Sequence, residues 1–243
     1  MTGATGDKAE GTREGTHPPP SAAQPGMVDF DKYRRFGAYH WKLVDRLPDY
    51  RRRVETVCEF VRPGDRCLDL GCGDGTYIGY VAERGGLVTG VDGDADGIRC
   101  AQEELERRNV PGFRLVHSTF ADLPRRLVGE ERSFDFVYSM DCIEHLVNPH
   151  ELLDVVERYL APRGTVLIGT PLFVGAEFVS QYHVKEFTRD EITELLTARF
   201  ERMDERLLDA PVPGREGVVP RFFVFHGRRR APWWKFWRRG ARR

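Results

Sequence analysis

The sequence contains no apolar run close to the roughly 20 residues that a membrane-spanning helix requires. Its beginning shows no basic segment followed by an apolar core, so we expect no secretory signal. The chain has five cysteines, an odd number without the spacing of a metal site. That pattern favours reduced thiols in a cytoplasmic protein. With 243 residues and no internal repeat, the chain has room for one well-buried domain with tails.

Aromatic residues are absent from the first 26 positions, and acidic residues are absent from the last sixteen. We expect residues 1–26 to be a disordered tail, because such a segment cannot bury enough surface to offset its ordering entropy. Residues 27–62 bring apolar side chains back at helical spacing and predict a helical lid of two helices, separated near Pro48. Residues 63–227 then form the predicted core domain, and residues 228–243 form a basic aromatic tail.

The most informative segment runs from Cys67 to Thr76 and reads Cys-Leu-Asp-Leu-Gly-Cys-Gly-Asp-Gly-Thr. It predicts a short strand, a glycine-rich turn and the start of a helix, and Asp92 ends the next apolar run at the distance expected of a ribose-binding acid. Asp69 and Asp74 put carboxylates around the turn, which suits a cationic ligand better than a diphosphate. A dinucleotide site would need a third glycine where Thr76 stands.

Strand-like and helix-like segments alternate through the core, which predicts parallel strands with right-handed crossovers. The predicted strands are 66–70, 87–92, 113–117, 134–139 and 165–170, and the predicted helices are 77–84, 95–108, 123–128, 149–160 and 189–198. Thr188 and Glu191 predict a capping box at the start of the last helix. Segments 200–208 and 221–226 would form a closing antiparallel hairpin.

The segment 67–76 resembles motif I of the class I S-adenosylmethionine (SAM)-dependent methyltransferases, and the later strands follow in that family's order over about residues 50–227. The resemblance implies an α/β fold: a doubly wound, seven-stranded, mostly parallel, Rossmann-like sheet. It implies SAM as cofactor. It assigns these residues to the cofactor site: Asp69, Gly71, Cys72 and Gly73 (methionine half), Asp92 and Gly93 (ribose), Thr119 and Phe120 (adenine), and Ser139 and Met140. Thr119 stands where the family often has an acid, and Phe120 is equally well explained as a core aromatic.

A cluster of polar residues follows the fourth predicted strand. Asp141, Glu144 and His145 would share one face of a helical turn, and His183 comes later. Ubiquinone-pathway and small-RNA methyltransferases, which the chain also resembles, bind a divalent metal through Glu-x-x-Glu-His and a later histidine. Three roles stay open: metal ligands for Mg, Mn or Zn, a general base at His145 or His183 with Glu144 as a further catalytic candidate, or a structural role.

Tyr39, His40 and Trp41 would lie on the lid helix, either against the acceptor or packed on the sheet. The Asn/Asp-Pro-Pro-aromatic motif of amino-group methyltransferases is absent, because Thr170-Pro171-Leu172 ends the fifth strand. We therefore predict O-methylation of a small-molecule, glycan or lipid-linked acceptor. The alternatives are a metal-dependent RNA 2′-O-methyltransferase and a non-catalytic SAM-binding protein.

The segment Arg228–Arg243 carries eight basic residues, three tryptophans and a phenylalanine. This mixture suits an anionic membrane surface and also a nucleic acid. We favour peripheral contact with the inner membrane surface over nucleic acid, because no second basic patch stands out in the core sequence. A solvated tail without a partner is the third interpretation.

Overall fold

Seven strands form a single sheet in the part of the chain that the computed structural model describes, residues 31–212 and 214–230. The strands are β1 (Arg66–Leu70), β2 (Leu87–Asp92), β3 (Phe113–His117), β4 (Phe134–Met140), β5 (Leu160–Pro171), β6 (Phe200–Pro211) and β7 (Val218–Arg229). Their order is β3-β2-β1-β4-β5-β7-β6. The first five strands are parallel, and β7 pairs antiparallel with both β5 and β6. The predicted fold class is confirmed.

Eight α-helices connect or cover the strands in the described residues. They are α1 (Lys32–Phe36), α2 (Tyr39–Arg46), α3 (Pro48–Cys58), α4 (Thr76–Glu83), α5 (Ala95–Arg107), α6 (Leu123–Arg126), α7 (His150–Tyr159) and α8 (Arg189–Thr197). Pro48 begins α3, where its missing N–H costs nothing. The capping box at Thr188 is present, with both reciprocal bonds to Glu191. None of these helices is both long and apolar enough to cross a membrane.

Several predicted boundaries are wrong. The lid has three helices rather than two, because α1 ends at Gly37, whose φ of 63° leaves the helical region. Strand β5 begins at Leu160 rather than at residue 165, since the residues before Gly164 continue the ladder beside β4 across a register shift. The hairpin strands are longer than predicted because β6 and β7 stay paired as far as Pro211 and Val218. The predicted tail 1–26, residues 27–30 and residues 231–243 lie outside the described residues.

Buried side chains cover both faces of the sheet. Leu68 and Leu70 on β1 pack on one face, and Cys67 points to the other. This alternation follows from the two-residue period of a strand. The order of the strands reverses between β1 and β4, and ligands of such sheets bind outside the carboxyl ends of the strands at that point. The loops after β1 and β4 therefore form the expected ligand site.

Candidate active site

A cavity of about 210 Å³ lies at the carboxyl ends of β1 and β4. The glycine turn after β1 forms one wall, and the loop after β4 forms another. Side chains of α1, α2 and α3, the segment around His183 and residues of the β6–β7 hairpin close the rest. The cavity is thus built from the middle of the chain and from segments near both ends of the described residues.

The glycine turn leaves no space for side chains. Gly71 and Gly73 have φ of 82° and 53°, the left-handed region that favours glycine. A β-carbon on Gly71 would collide with Cys142, and one on Gly73 would collide with the hydroxyl of Tyr33. The N–H groups of Gly71 and Cys72 both donate to the carbonyl of Val91, which ties the turn to β2.

Asp92 holds this turn through its carboxylate. One oxygen accepts from the N–H of Gly73 at 2.7 Å and the other from the N–H of Asp94 at 2.8 Å. Burial raises the pKa of the Asp92 carboxyl. Each oxygen of a carboxylate can accept two hydrogen bonds, so both retain a lone pair for a ribose hydroxyl.

Asp69 and Asp74, the two carboxylates predicted around the turn, have different surroundings. Asp69 is buried on β1, its Oδ2 has no hydrogen-bond partner among the described residues, and burial raises its pKa well above the usual value. Asp74 lines the cavity, but its carboxylate accepts from the backbone N–H of His40 at 2.9 Å and from the hydroxyl of Thr76 at 2.7 Å. Asp74 therefore connects the glycine turn to α2 through the backbone of His40.

The other predicted cofactor residues lie around the same strand ends. Gly93 is exposed after β2 and leaves an open surface, with Ser118 O 4.0 Å from where a β-carbon would stand. Thr119 is exposed and shares hydrogen bonds with Asp122, and Phe120 is partly buried against the core. Ser139 is buried and donates to Leu70 O at 2.7 Å. Cys72 and Met140 are buried and line the cavity.

The N-terminal helices cover the turn. Tyr33, which sequence reasoning missed, is buried between Gly73 and Gly97. Trp41 is 3% exposed and donates from its indole N–H to Asp74 O at 3.0 Å. Trp41 therefore anchors α2 to the domain, whereas Tyr39 and His40 line the cavity.

The sequence predicts that Asp141 shares a helical turn with Glu144 and His145, and this prediction is wrong. The φ of Asp141 is 52°, and the short 3₁₀ turn that follows spans only Ile143–His145. Both of its carboxylate oxygens accept from Nη1 of Arg53, at 2.9 and 3.2 Å. The Arg53 guanidinium is buried and stacks 4.0 Å from the ring centre of Phe222. Asp141 thus joins α3 to the loop after β4.

Glu144, His145 and His183 do come together. A carboxylate oxygen of Glu144 and one ring nitrogen of each histidine lie within 4.8 Å of one another. The backbone carbonyl of Glu144 accepts from the N–H groups of Val184 and Lys185, which brings the later segment alongside. The rings of His145 and His183 meet edge to face with their centres 4.9 Å apart.

The protonation of this cluster follows from its burial. Glu144 accepts at Oε2 from the Thr170 hydroxyl at 2.8 Å, while Oε1 is without a hydrogen-bond partner in the described structure. Burial, helped by the charge of Asp141, raises the pKa of Glu144 to about 8. Burial lowers the pKa of His145 to about 4. Nδ1 of His145 lies 2.7 Å from Tyr182 O, and since a carbonyl only accepts, Nδ1 carries the proton of the neutral ring.

Glu186 and Arg221 are further residues that the sequence did not reveal. Glu186 lies 2.8 Å from Nδ1 of His183 and 2.6 Å from the guanidinium of Arg221. Its position three residues after His183 was a weak signal. Nothing in the sequence connects Arg221, 35 residues further on, to the site.

The cluster has the donor set of a divalent metal site. Two imidazoles and a carboxylate suit first-row metals, and the unpartnered Oε1 of Glu144 is a buried acceptor in need of a partner. Glu144, His145 and His183 would hold the ion, which would lower the pKa of a bound hydroxyl. Asp141 would not take part, because its carboxylate is paired with Arg53.

Comparison with known proteins indicates a methyltransferase domain around this cavity. Residues 68–168 match the methyltransferase domain family. The ubiquinone biosynthesis O-methyltransferase of Psychrobacter cryohalolentis is 30% identical over 168 residues, which cover 62% of this chain and 64% of that protein. Phosphoethanolamine N-methyltransferase 2 of Caenorhabditis elegans is 33% identical over 150 residues, 58% of this chain and 33% of that protein. The chain spans about half to two thirds of the length of the first ubiquinone-pathway relatives.

A SAM-dependent methyltransferase from Aquifex aeolicus superimposes with a TM-score of 0.59 at 16% identity, over 76% of this chain and 92% of that one. At that identity the likeness establishes the fold alone. The ordered motifs, the sheet topology and the matched domain family agree, and the cofactor of this family is SAM. Residues 68–168 therefore form a methyltransferase domain, and the class I SAM-dependent methyltransferases are the family that the chain resembles.

Proposed function

We propose that this protein transfers the methyl group of SAM to a hydroxyl oxygen of a small planar molecule. The observation that carries the proposal is the cluster of Glu144, His145 and His183, which lines the same cavity as Gly71 and Cys72 of the glycine turn. Tyr39 and Tyr50 also line this cavity and offer aromatic faces to a planar acceptor. The relatives named as O-methyltransferases of ubiquinone biosynthesis support oxygen as the acceptor atom.

Bound SAM supplies an electrophilic methyl group on its sulfonium and leaves as S-adenosylhomocysteine. The cavity would hold the acceptor oxygen close to the bound cofactor, and alignment of the two reactants is the main source of rate in such a transfer. His183 takes the hydroxyl proton at Nε2 as the oxygen–carbon bond forms and the carbon–sulfur bond breaks. His145, whose pKa is lowered to about 4, stays neutral beside His183 and leaves the hydroxyl proton to it.

A second form of the proposal adds a divalent metal to the same three residues. The close approach of Glu144, His145 and His183 favours it. Turnover would then be lost with a chelator and restored by Mg²⁺ or Mn²⁺, whereas the base-only form is indifferent to both.

Calorimetric titration with SAM, S-adenosylhomocysteine and NAD tests the cofactor. We expect the two sulfur ligands to bind and NAD not to bind. Asp92→Ala should abolish binding, because it removes the predicted ribose acceptor and loosens the turn at Gly73. Asp96→Ala is the matched control: it lies four residues away and pairs with Arg99 on the surface, so it should bind as the unaltered protein does.

Transfer of tritium from methyl-labelled SAM then tests the acceptor, with catechol, a polyprenylated phenol, phosphoethanolamine and a small-RNA duplex. Labelling of the phenols, lost in His183→Ala, supports the proposal. If only phosphoethanolamine or only RNA is labelled, the proposed class of acceptor is wrong and the labelled compound identifies the correct one. Binding of SAM without any transfer would favour a non-catalytic role.

A further inference from the structure

The buried ion pair between Glu186 and Arg221, beside His183 in the wall of the cavity, is the feature that the proposed mechanism leaves unused. Only 1% of the Glu186 side chain and 3% of the Arg221 side chain is exposed. Glu186 accepts from the guanidinium of Arg221 at Oε2, at 2.6 Å, and lies 2.8 Å from Nδ1 of His183 at Oε1. Since the two contacts use different oxygens, one carboxylate serves both partners.

This arrangement determines the tautomer of His183. A guanidinium stays protonated in proteins, so Glu186 is held as a carboxylate, and an ionised carboxylate can only accept hydrogen bonds. Nδ1 of His183 must therefore carry a proton. When the ring is neutral, the lone pair is on Nε2, the nitrogen that remains for the acceptor.

The backbone around the ion pair fixes its position. The N–H of Leu172 donates to Arg221 O at 2.7 Å, and the N–H of Phe173 donates to Phe187 O at 2.8 Å. These bonds attach the strand that carries Arg221 and the segment that carries Glu186 to the same end of β5. A second guanidinium nitrogen of Arg221 reaches Pro211 O on β6, at 3.4 Å. Glu186 is thus held by the C-terminal hairpin and not by the cofactor half of the domain.

We propose that Glu186 and Arg221 are positioning residues for His183: they fix its Nδ1-protonated tautomer and aim Nε2 at the acceptor hydroxyl. This inference rests on the proposed function for its catalytic meaning. Its structural content, the tautomer, can be measured without any acceptor.

The first test is long-range ¹H–¹⁵N NMR of the unaltered protein, with SAM absent and a chelator present. Spectra are recorded over a series of pH values, the neutral ring is identified by its ¹⁵N shifts, and the His183 signals are assigned by their loss in His183→Gln. We expect Nδ1 to be protonated and Nε2 to be unprotonated. The opposite tautomer, or a rapid mixture of both, would overturn the proposal whatever the variants do.

The second test compares Glu186→Gln with Glu201→Gln. Glu201 also pairs with an arginine of β7, Arg228, but on the exposed surface, so its variant controls for loss of an ion pair in the hairpin. Glutamine at 186 can donate a hydrogen bond to Nδ1 as well as accept one from it. Either ring nitrogen of His183 can then carry the proton. We expect a mixture of tautomers, unchanged SAM affinity, and a kcat for catechol lowered ~10–100-fold, as for other outer partners of functional histidines, with little change in KM.

Arg221→Lys provides the conservative comparison, because it keeps a positive charge beside Glu186. It should retain the tautomer and more of the kcat than Glu186→Gln does. An unaltered kcat and tautomer in Glu186→Gln would refute the assignment. If SAM fails to bind or no acceptor is methylated, the proposed function fails, whereas the NMR result still decides the positioning of His183.

Discussion

Glu144 is a fully buried carboxyl whose pKa is raised to about 8, mainly by burial. Its value in an unfolded chain is about 4.5, so the folded state binds the proton more tightly between these two limits. Stability therefore falls as the pH rises from about 4.5 to about 8. We predict that Glu144→Gln removes this dependence and becomes more stable than the unaltered protein by a growing margin between pH 5 and pH 8.

Urea unfolding at several pH values, in the presence of a chelator, measures that margin. Glutamine keeps an acceptor for the hydroxyl of Thr170, so the comparison isolates the charge. Glu201→Gln is the control, because the Glu201 pKa is lowered by its bond to Arg228 and its effect is confined to acid pH. Parallel stability curves for Glu144→Gln and the unaltered protein would contradict a raised Glu144 pKa.

The sequence predicts those functional residues whose partners lie close to them in the chain. The glycines of the turn and Asp92 lie within one strand–turn–helix–strand unit, so their spacing alone indicates their function. Arg53 and Arg221 could not be found in this way. Each lies on an element distant in the chain from its partner, and an arginine that pairs in the interior looks in sequence like any surface arginine.

At the scale of elements, the packing of α2 on α4 depends on a glycine within a helix. A β-carbon on Gly79 would collide with the indole ring of Trp41 and come within 3.1 Å of its Cζ2. We predict that Gly79→Ala destabilises the protein, because overpacking costs ~1–3 kcal/mol and outweighs the gain in helix propensity of up to ~1 kcal/mol. Thermal unfolding should show a melting temperature lower by a few degrees.

Gly97 offers the comparison, since it is also helical but its added β-carbon would lie 3.1 Å from the ring of Tyr33, at the tolerable limit of contact. Gly97→Ala should therefore cost less than Gly79→Ala. If both substitutions stabilised the protein equally, helix propensity alone would govern these positions and the Trp41 contact would be unimportant.

The sequence predicted the parallel strands better than the lid and the hairpin. Each of the strands β1 to β4 is a short apolar run between turn signals. The lid differs because the aromatic spacing predicted one helix where Gly37 ends α1 and separates it from α2. This break depends on the positive φ of Gly37, which the spacing of apolar residues does not indicate. The ends of β6 and β7 depend on pairing with each other, which no single strand encodes.

At the scale of the whole molecule, charge is divided unevenly along the chain. Arg228 and Arg229 belong to β7, so the tail beyond the sheet is residues 231–243; removing its five positive charges from the formal net charge of −1 leaves −6 on residues 1–230. An anionic surface would repel the body and attract the tail, at about 1 kcal/mol per basic residue near the membrane. We predict that a chain ending at Arg230 loses binding to phosphatidylglycerol vesicles while its melting temperature and SAM affinity are unchanged.

Vesicle sedimentation measures this binding. A full-length variant with alanine at Trp233, Trp234 and Trp237 separates the aromatic contribution from the charge, and it should bind more weakly than the unaltered protein and more tightly than the shortened chain. Equal binding by the shortened chain would contradict the prediction. If the full chain binds RNA but not vesicles, the tail is a nucleic-acid-binding segment and not a membrane-binding one.

The ion pair between Glu186 and Arg221 also imposes an order on synthesis. The ribosome releases the glycine turn and Asp92 first, then His183 and Glu186, and Arg221 only afterwards. A nascent chain without β7 contains a carboxylate destined for the interior but no guanidinium to neutralise it, and a buried charge without its partner is strongly unfavourable. We therefore expect the segment of His183 and Glu186 to reach its final position only when β7 has joined the sheet. The glycine turn and Asp92 are synthesised well before that.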